Sequence, residues 1–126
     1  MARAQFKGTF NQGKYLINIT LSLYIWKEKG LIFVYSPALD ITGYGTSESE
    51  AKESFQTTLN EFVSYTHNKK TIFDELEHLG WTVNRKKKRV HAPDFEDLRT
   101  DNNAFRNLLK RSNVKSENKN IELALA

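Results

Sequence analysis

The chain has 126 residues, of which 39% are apolar, 12% aromatic and 27% charged, with a formal net charge of +4 at pH 7 and no cysteine. That length suits one α+β-sized domain burying about two-thirds of the surface its unfolded chain exposes, and the composition is that of a folded protein, not a disordered one. Disulfides and thiolate metal sites are excluded, no apolar run reaches bilayer length, and the opening residues MARAQFKGTF hold no apolar signal segment, so a cytoplasmic protein without a membrane partner is expected.

Charge is unevenly spread. Residues 1–46 carry a net +3, residues 47–79 a net −4 and residues 80–126 a net +5. Such asymmetry steers partners, or it marks three ordinary solvated faces. Both readings stand.

Residues 15–26 read as a long strand. Tyr15, Ile17, Ile19, Leu21, Leu23 and Ile25 form an apolar face, and the other face is polar at its centre. Residues 27–30, KEKG, make a hairpin turn. Residues 31–35 follow as a second strand, which Pro37 ends because proline donates nothing to a ladder. Residues 39–44 return as a third strand, with Gly43 and Gly45 permitting positive φ or a bulge.

A helix starts at Ser47, with Glu50 three residues on as its capping-box partner. Ala51, Phe55, Leu59, Phe62, Val63 and Thr66 form its core-facing stripe. HNKK at 67–70 is expected to break it. Thr71 then caps a shorter helix that Gly80 stops. In WTVNRKKKRVHAP, Val83 and Val90 lie seven apart, so an unbroken strand would set them on opposite faces; two short strands with the basic run near the turn are preferred. Residues 100–111 read as a helix, SNVKSENKN as a polar loop, and Ile121, Leu123 and Leu125 as a last strand. The fold class expected is thus α+β: an antiparallel β-β-β-α(-α)-β sheet with one main helix packed on it, and a C-terminal helix–strand extension. It is read as one domain, with a core over about 15–92 and the extension over about 93–126.

The ordered run Tyr35-Ser36-Pro37-Ala38-Leu39-Asp40, Gly43-Tyr44-Gly45-Thr46-Ser47 and Glu50-Ala51 resembles the HicB-like antitoxin domain. The similarity continues through LNEFVSY and LEHLGW, over roughly residues 15–83. The motif residues Tyr35, Pro37, Leu39, Gly43, Gly45, Ser47, Glu50 and Ala51 are all backbone-shaping or packing types, so their expected work is architecture. The resemblance implies a partial ribonuclease-H-like sheet and a partner: a small HicA-type toxin that cleaves messenger RNA and is blocked by protein–protein contact. After Pro93 the order helix, loop, strand differs from a ribbon-helix-helix module, and DFEDL is a poor first helix for a helix-turn-helix, so DNA-binding autorepression is not expected.

Arg85, Lys86, Lys87, Lys88 and Arg89 are five consecutive cations that suit RNA or DNA phosphates, with Trp81 as a nearby stacking face; the bland reading is a solvated turn that blunts a strand edge. Glu53, Glu61 and Glu77 are candidates to face a basic partner. His67, His78 and His91 lack metal-ligand spacing, and Asp74, Glu75 and Glu77 do not form an acid/base pair. No catalytic residue, metal or cofactor is assigned, and an enzyme is not expected. The leading reading is an antitoxin-related binding protein. The alternatives are a nucleic-acid-binding regulator using 85–89 and an orphan oligomeric domain. A homodimer or higher homo-oligomer is expected through an exposed strand edge, at 31–35 or 121–125.

Overall fold

The computed structural model describes residues 3–11 and 14–125, with side chains described from residue 16 onward. The placement of Tyr15 on the apolar face therefore lies outside the described side chains. The fold is α+β, with a five-stranded antiparallel sheet and a separate two-stranded hairpin.

Strand β1 (Arg3–Asn11), which the hydropathy pattern did not announce, pairs with β2 (Lys14–Glu28) across a register shift between Gln5 and Thr9. The alternation in β2 works as expected: Ile17, Ile19, Leu21, Leu23 and Ile25 are buried, and each such side chain stabilises the fold by about 1.5–3 kcal/mol. The hairpin to β3 (Leu31–Ser36) turns on Lys29 (φ 52) and Gly30 (φ 82), two positive-φ residues that match the right-handed twist of the flanking strands. β3 lies between β2 and β4 (Ile41–Gly45), so residues 31–35 are interior and not the open edge expected.

The third strand starts two residues later than the alternation indicated. Pro37, Ala38 and Leu39 are buried in a turn that closes at Asp40 (φ 54). Gly43 and Gly45 show neither the positive φ nor the bulge anticipated, and β4 keeps an unbroken register with β3. Their small size is what matters, because α1 (Glu48–Lys69) crosses directly over them. The helix is capped by Ser47, whose hydroxyl accepts from the Glu50 N–H at 3.1 Å. Glu50 reaches back one residue further than a capping box predicts: its carboxylate accepts from the Thr46 N–H (3.0 Å) and hydroxyl (2.7 Å).

HNKK ends α1 as expected, at its last residue. The helix runs through Lys69 and stops at Lys70 in the left-handed conformation, with the Lys70 N–H on the His67 carbonyl and the Thr71 N–H on the Thr66 carbonyl. That is a Schellman closure made with lysine instead of glycine. Helix α2 (Ile72–His78) follows, but the Thr71 side chain makes no capping bond. Gly80 (φ 91) then turns the chain into β5 (Thr82–Asn84), which pairs with β6 (Arg89–His91) so that Val83 faces Val90. The basic run occupies the turn, as anticipated.

The segment expected as one helix over 100–111 is two. α3 (Phe95–Asp101) is capped by Asp94, and α4 (Asn103–Leu108) by Asn102, which breaks the run with extended backbone. DFEDL is therefore helical after all; Asp94 followed by Asp97, directly after Pro93, was its start signal. The polar loop expected at 112–120 is mostly strand: β7 runs from Lys115 to Ala124 and pairs with β2 along its length. Its register covers β2 residues paired with β1 and others paired with β3, so β1 and β3 lie end to end on the opposite edge of β2. The C-terminal strand is thus part of the main sheet, while the strands after α2 stand apart in their hairpin.

The main core lies between the sheet and α1 and α2, with Phe55, Leu59, Ile72, Leu76 and Leu123 among its buried residues. A second, smaller cluster of Tyr35, Phe105 and Leu108 lies on the other face, under α3 and α4.

Candidate functional site

Register places three aromatic residues side by side. Trp26 on β2 faces Phe33 on β3, and Phe33 faces Tyr44 on β4. Gly43, the neighbour of Tyr44, points at α1, so the aromatic row lies on the opposite face of the sheet. Trp26 and Phe33 stack with centroids 5.3 Å apart at 16°, and Tyr44 stands 6.2 Å from Phe33 at 34°. Tyr44 ends the stack with 60% of its surface exposed.

Helix α4 flanks this row without covering it. Between them runs a groove of about 470 Å³, walled by Trp26, Phe33, Thr42, Ala104, Asn107 and Leu108. Its polar groups sit at two ends. At one, Arg111 pairs with Glu28 at 2.6 Å, and the Asn113 amide donates to the Lys27 carbonyl at 3.0 Å, tying the chain after α4 to the β2–β3 hairpin. At the other, the Tyr35 hydroxyl donates to Asp40 (2.9 Å) and accepts from the Asn102 amide (2.9 Å). Burial pushes the Tyr35 phenol up to about 12, with Asp40 adding to the rise and Asn102 opposing it. Tyr24, under Phe105, is also raised by burial. An apolar, aromatic groove with a few fixed polar groups is suited to binding.

The motif residues divide accordingly. Pro37 and Leu39 are buried in the turn, Gly43 and Gly45 admit α1, Ser47 and Glu50 cap it, and Ala51 packs with no exposed surface. Tyr35 alone among them reaches the groove. Trp26 and Phe33 carried no signal as a site, because aromatic residues in strands ordinarily read as core.

The basic run is less available than its charge suggested. Arg85 pairs with Asp74 at 2.8 Å and with Glu77, and stands 5.5 Å over the Phe73 ring. Those bonds, Asp74's first, raise its pKa above the ordinary arginine value. Lys88 and Arg89 also have interactions within the chain; Lys86 and Lys87 are exposed. Trp81 offers no stacking face: it is 4% exposed, with its indole N–H on the Ala38 carbonyl at 2.7 Å. The three candidate acids do not share one face. Glu53 and Glu61 are exposed on α1, about 12 Å apart along its axis, whereas Glu77 is engaged by Arg85.

Among the described residues, no group of three or more acidic or histidine side chains could hold a metal ion, and no helix is long and apolar enough to cross a membrane. Comparison with family models, with curated proteins and with solved structures finds no match to this chain.

Proposed function

We propose that this chain is a HicB-like, antitoxin-related binding protein that sequesters a small HicA-type toxin by protein–protein contact. The observation that carries the reading is the uncovered groove between the Trp26–Phe33–Tyr44 row and α4. It leaves aromatic surface and fixed polar groups available on one face, while the motif residues hold α1 against the other. Aromatic anchors beside satisfied polar groups are the usual energetic centre of a protein interface. The groove is a better candidate for that contact than Glu53, Glu61 and Glu77, which are spread over two helices.

The test is affinity purification from source cells at modest salt, with and without nuclease. A small basic protein retained after nuclease supports the reading. Retention by Ala104→Arg and Tyr44→Ala should fall, whereas Glu53→Lys with Glu61→Lys should retain the partner. Material released by nuclease would overturn the reading in favour of nucleic acid, with Lys86 and Lys87 the first residues to replace.

A further inference from the structure

β7 is ten residues long and is hydrogen-bonded along only one edge; among the described residues no strand pairs with the other. Natural sheets blunt such edges with short strands, prolines, bulges or like-charged side chains, lysine above all; the charges of β7, Lys115, Glu117, Lys119 and Glu122, are of both signs and can pair with those of a second copy. On the opposite side of the sheet β4 has only five residues, and β1, though nine long, carries a register shift between Gln5 and Thr9. β7 has no proline and keeps an unbroken register with β2 from Lys115 to Ala124.

We propose that two copies of this chain join edge to edge through β7, in antiparallel register centred on Asn118, forming one sheet continuous across the dimer. The register follows from geometry, charge and length, since centring on Ser116 also opposes Lys115 and Glu117 but pairs only residues 115–117 of the strand. Directly opposed residues in antiparallel strands share a face. A two-fold axis normal to the sheet keeps each copy's faces, so the axis must pass through a residue position and not between two. Centring on Glu117 sets Glu117 against itself and Lys115 against Lys119. Centring on Lys119 sets Lys119 against itself. Centring on Asn118 sets each Glu117 opposite the partner's Lys119, twice by symmetry. Both residues lie on the α1 side of the sheet, where Glu117 already takes Lys52 at 2.9 Å.

The ground beside the edge suits an added strand. A groove of about 420 Å³ lies between α1 and β7, bordered by Gln56, Asn60 and Ser64 on the helix and by Ile121 on the strand. Side-chain amides offer both donors and acceptors to peptide groups. The two α1 helices fall on the same face of the joined sheet, with Gln56 and Asn60 turned towards the dyad. The Trp26–Phe33–Tyr44 groove lies on the other face, so this inference stands independently of the toxin-binding reading.

Sedimentation velocity on the full chain, across the micromolar to millimolar range, is the test. The wild type should dimerise. Lys119→Glu, which opposes two acids at each contact, should weaken the dimer about tenfold. Glu117→Lys should do the same, and the double exchange Glu117→Lys with Lys119→Glu should restore the wild-type constant. Circular dichroism on the same samples reports whether each variant folds. A folded wild-type chain that remains monomeric throughout, or a dimer indifferent to all three variants, would overturn the proposal.

Discussion

A Cβ placed on Gly43 would stand 2.2 Å from the amide nitrogen of Phe55 and 2.6 Å from the Ala51 carbonyl oxygen. Both are backbone atoms of α1, so no side-chain rotation relieves the overlap. Gly43→Ala is therefore expected to lift the helix off the sheet and cost about 3 kcal/mol or more. At Gly45 the overlaps are less deep, with the Glu50 Cβ at 2.5 Å and the Ala51 amide nitrogen at 2.8 Å, and a smaller loss follows. Gly30 has nothing within 4 Å but a φ of +82, so its alanine variant costs only about 1–2 kcal/mol of backbone strain. Urea unfolding of the three variants should rank them in that order; a Gly30 variant as damaged as the Gly43 one would refute the close-approach account.

Trp81 ties the chain after α2 to the turn that carries Pro37. Its indole N–H is the donor to a buried carbonyl, that of Ala38, forty-three residues away in sequence. Trp81→Phe keeps an aromatic ring and removes that donor. The expected loss is about 1–3 kcal/mol, the cost of an unsatisfied buried acceptor. A thermal or urea midpoint equal to that of the wild type would show that the bond contributes nothing.

Tyr35 predicts a specific alkaline sensitivity. Its phenol is raised from 10.0 to about 12 in the folded chain. A group whose folded pKa is raised stabilises the protein fully below its unfolded pKa, and that contribution is lost as pH rises through the folded one. Stability should therefore fall between about pH 10 and 12 by more in the wild type than in Tyr35→Phe, the difference isolating this residue from the other tyrosines. Parallel pH slopes for the two proteins would contradict the assignment.

Two residues looked alike as helix caps and differ in the fold. The Ser47 hydroxyl accepts from the Glu50 N–H, whereas the Thr71 hydroxyl is buried without a hydrogen-bond partner. Ser47→Ala should cost about 1 kcal/mol. Thr71→Ala should cost little or be slightly stabilising, since it removes an unsatisfied polar group. Chemical denaturation distinguishes the two, and a larger loss at Thr71 would reverse the conclusion.

Much of this fold was legible because the signals were local. Strict alternation from Ile17 to Ile25 defines a half-buried strand whatever surrounds it. The parity of Val83 and Val90 required two strands, and the KEKG turn and the Ser47 start needed only their own few residues. The misreadings share a cause. Residues 115–120 are polar because one face meets solvent and the other bears Lys115 and Glu117, which pair with Glu48 and Lys52 on α1. With polar residues on both faces, this half of β7 carries no periodic apolar signature of its own.

The sequence by itself determined the strongly periodic elements, the Ser47 cap and the order of β-β-β-α from residue 15 on, since each follows from spacing and backbone chemistry within a few residues. Only the tertiary structure decided which strands became neighbours. That decision put β3 inside the sheet, β7 at its edge, and Trp26, Phe33 and Tyr44 in one row. It also bound Arg85 to Asp74 and Glu77, which turned the most conspicuous charge run into part of a surface network. The physical reason is range: hydropathy and capping act over one turn or one pleat, whereas strand register and ion pairing join residues whose separation along the chain leaves no trace in either.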